Sequence, residues 1–302
     1  MFRNVILDFG RNDACVFVAG TGRSGTTWIA QILASMTGAR HIFEPCLLDG
    51  GYEFATLKHR FLNESYALRD YQLYIPPGLG ESSAYFRPLS RILQGRVKNE
   101  WCDKFTHSGV YTRRVIKEIR ANLFLAYLSQ TWPNLRIIWV IRDVFDTINS
   151  QVAMSKREWH FDWDHQQIVS QQQLLDDWLA AYLPSMRLAV TTAERLAHRW
   201  CVETMVPYWQ GVQARRNVQL VRYEQLINDV SVWESIVQFV RAKSWSRARL
   251  TEVLRRPSPT SRKLFDDSGD RGCTLDNLSA EDIAAIRRIV ALYGAARVTE
   301  GK

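Results

Sequence analysis

The chain has 302 residues, 46% hydrophobic and 23% charged, proportions that support a buried core and exclude a disordered chain. Lysine and arginine number 39 against 31 aspartates and glutamates, and this +8 balance favours an acidic partner: a polyphosphorylated nucleotide, a nucleic acid or an anionic polysaccharide. Five scattered cysteines (Cys15, Cys46, Cys102, Cys201, Cys273) form no Cys-x-x-Cys pair, so neither a disulfide framework nor a zinc site is indicated, and a reducing compartment fits best.

Charges at Arg3, Asp8, Arg11 and Asp13 interrupt any signal-peptide core, and the longest apolar run, around 137–141, is too short to span a bilayer. A cytoplasmic chain is expected, forming one domain over residues 1–302. No internal repeat, linker or low-complexity tract divides it.

Residues 15–19 (CVFVA) predict a strand, and TTWIAQILASM, apolar at Trp28, Ile32, Leu33 and Met36, predicts a helix after a glycine-rich turn. From 40 to 110 periodicity is weak and Pro76-Pro77-Gly78 marks a turn, so irregular structure with short helices is expected there. RVIKEI (114–119) and LRIIWVI (135–141) read as strands joined by the helical ANLFLAYLSQTW, a second strand-helix-strand unit that implies parallel order. Helices follow near 143–154, 165–184 and 192–210, then a strand at 217–221 and more helices to about 294. The fold class expected is α/β, a P-loop-containing three-layer sandwich with a central parallel sheet flanked by helices.

Gly20-Thr21-Gly22-Arg23-Ser24-Gly25-Thr26-Thr27 joins the first strand to the first helix, where backbone N–H groups and the positive helix end face one anion site. The pattern approaches G-x-x-x-x-G-K-[ST], but Thr26 stands where a phosphate-binding lysine would be, and Arg23 lies inside the loop instead. The alternative is a glycine-rich turn with no ligand. Arg142 ends the 135–141 strand, placed to pair with a second phosphate, with Ser150 eight residues later as a hydroxyl donor. Alternatively Arg142-Asp143 is a strand-end ion pair with Asp143 capping the next helix, or Asp143 binds Mg²⁺ as in a nucleotide kinase. His160-Phe161-Asp162-Trp163-Asp164-His165 has metal-ligand residue types, yet its alternation with aromatics suits a capped loop; Trp159 and Trp163 read as a stacking wall or as core.

Residues 22–28, GRSGTTW, resemble the 5′-phosphosulfate loop of the PAPS-dependent sulfotransferase family, of carbohydrate-type or bacterial small-molecule kind. The resemblance implies that Gly22, Arg23, Ser24, Gly25, Thr26, Thr27 and Trp28 hold one end of 3′-phosphoadenosine-5′-phosphosulfate (PAPS), with its product PAP left after transfer. Arg142 and Ser150 are similar to the family's 3′-phosphate motif, with Val144 where a proline is usual. Tyr223, in Val221-Arg222-Tyr223-Glu224, looks like its adenine-side tyrosine. Arg262 and Lys263 look like its late basic loop, although Leu264 replaces the glycine that usually follows, and a solvated basic loop explains them equally.

Sulfuryl transfer, like phosphoryl transfer, needs a base for the nucleophile and cations where charge builds, but no obligatory metal. Arg23 and Lys117 are the expected cations. In cytosolic relatives the Lys117 strand continues K-T-H and supplies a histidine base; here Lys117-Glu118-Ile119 lacks it. Phe43-Glu44-Pro45 is similar to a segment of carbohydrate-type and bacterial members, so Glu44 is the expected base, with its pKa raised beside Phe43, and Glu118 the reserve. A loop salt bridge for Glu44 and a surface ion pair for Lys117 are the plain alternatives. A small-molecule or carbohydrate acceptor is implied, with neither nucleic acid nor membrane as partner. The rival readings are a Mg²⁺-dependent P-loop kinase and a non-catalytic anion- or glycan-binding module.

Overall fold

The computed structural model describes residues 5–10, 14–47, 72–155, 165–242, 246–254, 275–296 and 298. In chain order its strands are β1 (Ile6–Asp8), β2 (Cys15–Gly20), β3 (Arg40–Phe43), β4 (Gly109–Tyr111), β5 (Arg114–Glu118), β6 (Arg136–Ile141) and β7 (Val218–Arg222). The longer helices are α1 (Thr26–Thr37), α2 (Phe86–Leu93), α3 (Leu125–Thr131), α4 (Val144–Ser155), α5 (Thr192–Trp209), α6 (Tyr223–Asn228), α7 (Val230–Phe239), α8 (Arg247–Leu254) and α9 (Ala280–Leu292).

Five strands form a parallel sheet in the order β3-β5-β2-β6-β7. β2 is central and buried at every residue, as expected for a strand covered on both faces. Alternation along the strands divides the core into two layers. Phe17, Ala19, Ile137 and Trp139 face one side, where Leu125, Ile148, Trp200 and Ile286 cover them. Val16, Val18, Ile138 and Val140 face the other, under Ile29, Leu33, Met36, Trp233 and Val237. This is the three-layer arrangement expected from sequence.

Strand β3 and the two-stranded β1-β4 sheet fall where no strand was expected. Their polar residues are buried because they pair at long range. Arg40 binds Asp8 and Asp103, and Arg114 shares Asp8, which ties β1 to the sheet's edge. The helix expected at 165–184 is broken into short turns, including a π-helical turn at Leu175–Leu179, before Pro184 opens the helix Leu183–Arg187. Helix α5 begins with a capping box in which Thr191 Oγ1 accepts from the Glu194 N–H and Glu194 accepts from the Thr191 N–H. Among the described residues no helix is long and apolar enough to cross a membrane.

Candidate active site at the carboxyl rim of the sheet

In a parallel sheet with helices on both faces, the carboxyl ends of the strands share one rim, and ligands bind where the chain's direction of travel across the sheet reverses. Here that point is β2, from which the chain moves first to β3 and back to β5 on one side and later to β6 and β7 on the other. Along the rim stand Glu44 after β3, Lys117 and Glu118 at the end of β5, the 20–25 loop after β2, Arg142 after β6 and Tyr223 after β7.

The loop after β2 is shaped to hold an anion. Gly25 is the N-cap of α1 with φ +85°, no side chain caps that helix, and its first turn carries no acidic residue. The N-terminal N–H groups therefore keep their attraction for a negative ligand. Ser24 Oγ is fully buried and has no hydrogen-bond partner among the described residues. A buried hydroxyl left unpaired costs about 1–3 kcal/mol, which a ligand accepting its hydrogen would recover.

Arg23 adopts φ +73°, unusual outside glycine. Its Nε donates to Ser150 Oγ at 3.1 Å, while Arg142 donates to the Arg23 carbonyl at 3.1 Å and Gln151 donates to the Gly22 carbonyl at 2.8 Å. The two segments singled out from sequence, 22–28 and 142–150, are thus bonded directly to each other. Burial, then the neighbouring Arg142 charge, push the Arg23 pKa down to about 10. Two guanidinium groups held together are relieved by an anion. The Arg142 guanidinium also lies 4.8 Å from the centre of the Tyr223 ring, and Tyr223 meets Trp28 edge-on at 6.0 Å.

Asp143 takes the capping role weighed for it. Its Oδ1 accepts from the N–H groups of Phe145 and Asp146, at 2.8 and 3.1 Å. The carboxylate that Arg142 reaches, at 3.6 Å, is that of Asp146 and not the Asp143 weighed from sequence, and this pair coexists with the contact to the loop. Asp143 thus commits Oδ1 to the helix start, and Thr26 stands where the magnesium-dependent reading needs a lysine.

Glu44 lies on the other side of the loop, 4% exposed, and the expectation of a raised pKa does not hold. Burial alone would raise it, but the Lys117 ammonium on Oε1 and the Arg120 guanidinium on Oε2, the latter at 2.9 Å, hold it down to about 2. The apolar neighbour Phe43 is outweighed by two cations, and Lys117 is buried rather than in a surface pair. Burial lowers the Lys117 pKa while the Glu44 charge opposes that fall. Glu118 is committed elsewhere. Its two oxygens accept from the N–H groups of Cys46 and Arg120, at 2.7 and 3.0 Å, so it braces the turn that presents Glu44.

Arg120 was not foreseen, since no local motif marks an arginine two residues past a strand as the partner of a glutamate 76 residues earlier. Arg262 and Lys263, together with Trp159 and Trp163, lie outside the described residues. Among the described residues no cluster of His, Cys, Asp and Glu is arranged to hold a metal ion.

The model of the sulfotransferase family matches residues 15–246. No curated protein matches the chain. Among solved structures, a mouse sulfotransferase complexed with PAP is similar at 12% identity and a TM-score of 0.47, covering 95% of this chain and 86% of that one. A sulfotransferase domain from the curacin biosynthetic pathway gives 13% and 0.47, covering 92% and 96%; a sulfotransferase of Mycobacterium avium gives 14% and 0.44, covering 94% and 76%.

Proposed function

Because the chain belongs to the sulfotransferase family, we propose that it moves a sulfuryl group from PAPS to a hydroxyl or amine of a small-molecule or carbohydrate acceptor. The observation that carries this reading is the pairing of an uncapped, glycine-rich helix start with Arg142 through the Arg142 bond to the Arg23 carbonyl. It joins two anion sites on one rim, as a nucleotide charged at both ends requires.

The residues fit such a donor. Gly22 to Trp28, with the unpaired Ser24 hydroxyl, would hold its 5′ end; Arg142 and Ser150 would hold its 3′-phosphate; and Tyr223, beside Arg142, would lie against the adenine. Bound there, PAPS supplies an activated sulfuryl group whose transfer leaves PAP. Arg23 and Lys117 are the cations available for the charge that builds at the leaving oxygen.

Glu44 is the base in this reading, ionised at neutral pH and therefore able to accept a proton. While Lys117 holds it, its basicity is low. An anion in the neighbouring loop that draws Lys117 away would restore it, leaving Arg120 to fix the second oxygen. Incubation with sulfur-labelled PAPS and a panel of hydroxylated acceptors, in EDTA, should move label to an acceptor. Label retained on the nucleotide with every acceptor, or release of phosphate from ATP only when Mg²⁺ is added, would remove the proposal.

A further inference from the structure

An open cleft of about 530 Å³ is lined by Asn99, Glu100, Trp101 and Lys104. It adjoins Glu44 through Phe43. The Lys104 ammonium lies 3.6 Å from the centre of the Phe43 ring and 3.7 Å from that of Trp101, and the Lys117 ammonium lies 4.6 Å from the same Phe43 ring. Trp101 and Phe105 each meet Phe43 edge to face, at 5.3 and 5.2 Å. The cleft therefore offers one aromatic wall, Trp101, and a cation, Lys104, both packed on Phe43, the residue next to the candidate base.

The charges around Phe43 do not balance. Lys104, Lys117 and Arg120 are three cations, Glu44 and Glu118 are two carboxylates, and the carboxylates pair with Lys117 and Arg120. His41, buried against Phe105, adds no charge, because burial and the two lysines push its pKa down to about 3. Among the described residues Lys104 has neither an ion pair nor a hydrogen bond, only ring faces. Partial burial lowers its pKa to about 8, the Glu44 charge opposing that fall and Lys117 adding to it. An ammonium held by ring faces, with no carboxylate in direct contact, is half of an anion site. Trp101 Nε1 is buried and has no hydrogen-bond partner among the described residues. Glu100 lines the cleft without a cationic partner among the described residues, which suits a monoanion better than a polyanion.

We propose that this cleft binds the acceptor, and that the acceptor is a ring compound bearing one carboxylate, phosphate or sulfate. Its ring lies on Trp101, its anion at Lys104, and its hydroxyl toward Glu44. The assignment rests on the reading of Glu44 as base.

The test uses the full chain saturated with PAP and ring ligands paired by charge: 4-hydroxyphenylacetate against 4-hydroxyphenylacetamide, and glucuronate against glucose. Calorimetry should show an anion binding at least about tenfold tighter than its neutral pair. Lys104→Met should erase that preference without changing PAP affinity or Tm, and Lys104→Arg should keep most of it. Equal binding within both pairs, or no binding by any of the four, overturns the proposal. Loss of PAP affinity in Lys104→Met also overturns it, because Lys104 then serves the donor's anion. An anion preference that depends on Lys104, in a protein that passes no label from PAPS, would leave the subsite standing and sink the transferase reading. Full turnover in Glu44→Gln would sink the base and, with it, the placement of the acceptor's hydroxyl, leaving only the Lys104-dependent anion preference.

Discussion

Glu44 sits in a backbone conformation, φ +43°, that non-glycine residues adopt at a cost, and its N–H donates to the Lys117 carbonyl at 2.7 Å. Backbone and carboxylate are thus both fixed against β5. Its folded pKa lies below the value of about 4.3 for a free glutamate. A group depressed in the folded state stabilises the fold above its unfolded pKa, and that contribution is lost as pH falls toward the folded value. Part of the acid unfolding between roughly pH 4.5 and 2 therefore belongs to Glu44, and Glu44→Gln should flatten the stability curve in that window. At neutral pH the same variant should lose about 3–5 kcal/mol, because two buried cations lose their shared anion. It should still bind PAP while turnover falls by about 10²-fold or more. Urea titrations across pH and single-turnover label transfer measure the two effects separately. Turnover equal to the parent chain would exclude Glu44 as base. Because Arg120 also depresses Glu44, Arg120→Lys should keep the fold while moving the acid limb of the pH–rate profile, a shift that a merely structural arginine would not cause.

At the scale of elements, the strand-loop-helix unit of β2 and α1 was legible because its signals are local. An apolar run, a glycine turn and a 3.6-residue apolar spacing all fall within 25 residues. The unit of β5, α3 and β6 was legible on local signals too, two apolar runs flanking a helical stretch within residues 114–141. Strand β3 was not legible, since Arg40 and His41 break the apolar pattern. Its burial depends on Asp8, Asp103 and Phe105, brought in from distant segments. Loop chemistry also hid the fine geometry, as at Gly25, whose need for glycine comes from a residue almost 200 positions away. A Cβ there would overlap the Tyr223 ring, at a φ that already disfavours side chains. Gly25→Ala should cost about 1–3 kcal/mol in stability. It should also weaken PAP binding, because both the loop and the Tyr223 wall must move. Paired melting curves with and without PAP check this. A smaller PAP-induced shift in Tm than in the parent chain is expected, and an equal shift would separate Gly25 from the nucleotide site.

At the scale of the whole molecule, the strand order sets the order of candidate residues along the rim: Glu44, Lys117, the 20–25 loop, Arg142, Tyr223. The candidate base and acceptor cleft fall at the β3 end and the candidate nucleotide contacts fall from β2 to β7, so the two ligands would approach from opposite ends of one edge. Sequence spacing singled out the loop and Arg142 as separate candidate anion sites. Only the parallel pairing of β2 with β6, which sets Gly20 beside Val140, brings them into bonding distance. A ligand that spans both should therefore couple them. PAP at about a hundred times its Kd should raise stability by roughly 2.7 kcal/mol, with or without EDTA. ATP, which lacks a 3′-phosphate for Arg142, should raise it much less at the same concentration. Arg142→Ala should bring the PAP and ATP shifts together, mainly by reducing that of PAP, since the loop at the α1 N-terminus remains for either 5′ end. Thermal shift titrations of both proteins with both nucleotides provide the comparison. An Arg142→Ala protein that still prefers PAP to the parent's extent would mean that the second phosphate is held elsewhere, and the two halves of the rim would then have to be treated as independent sites.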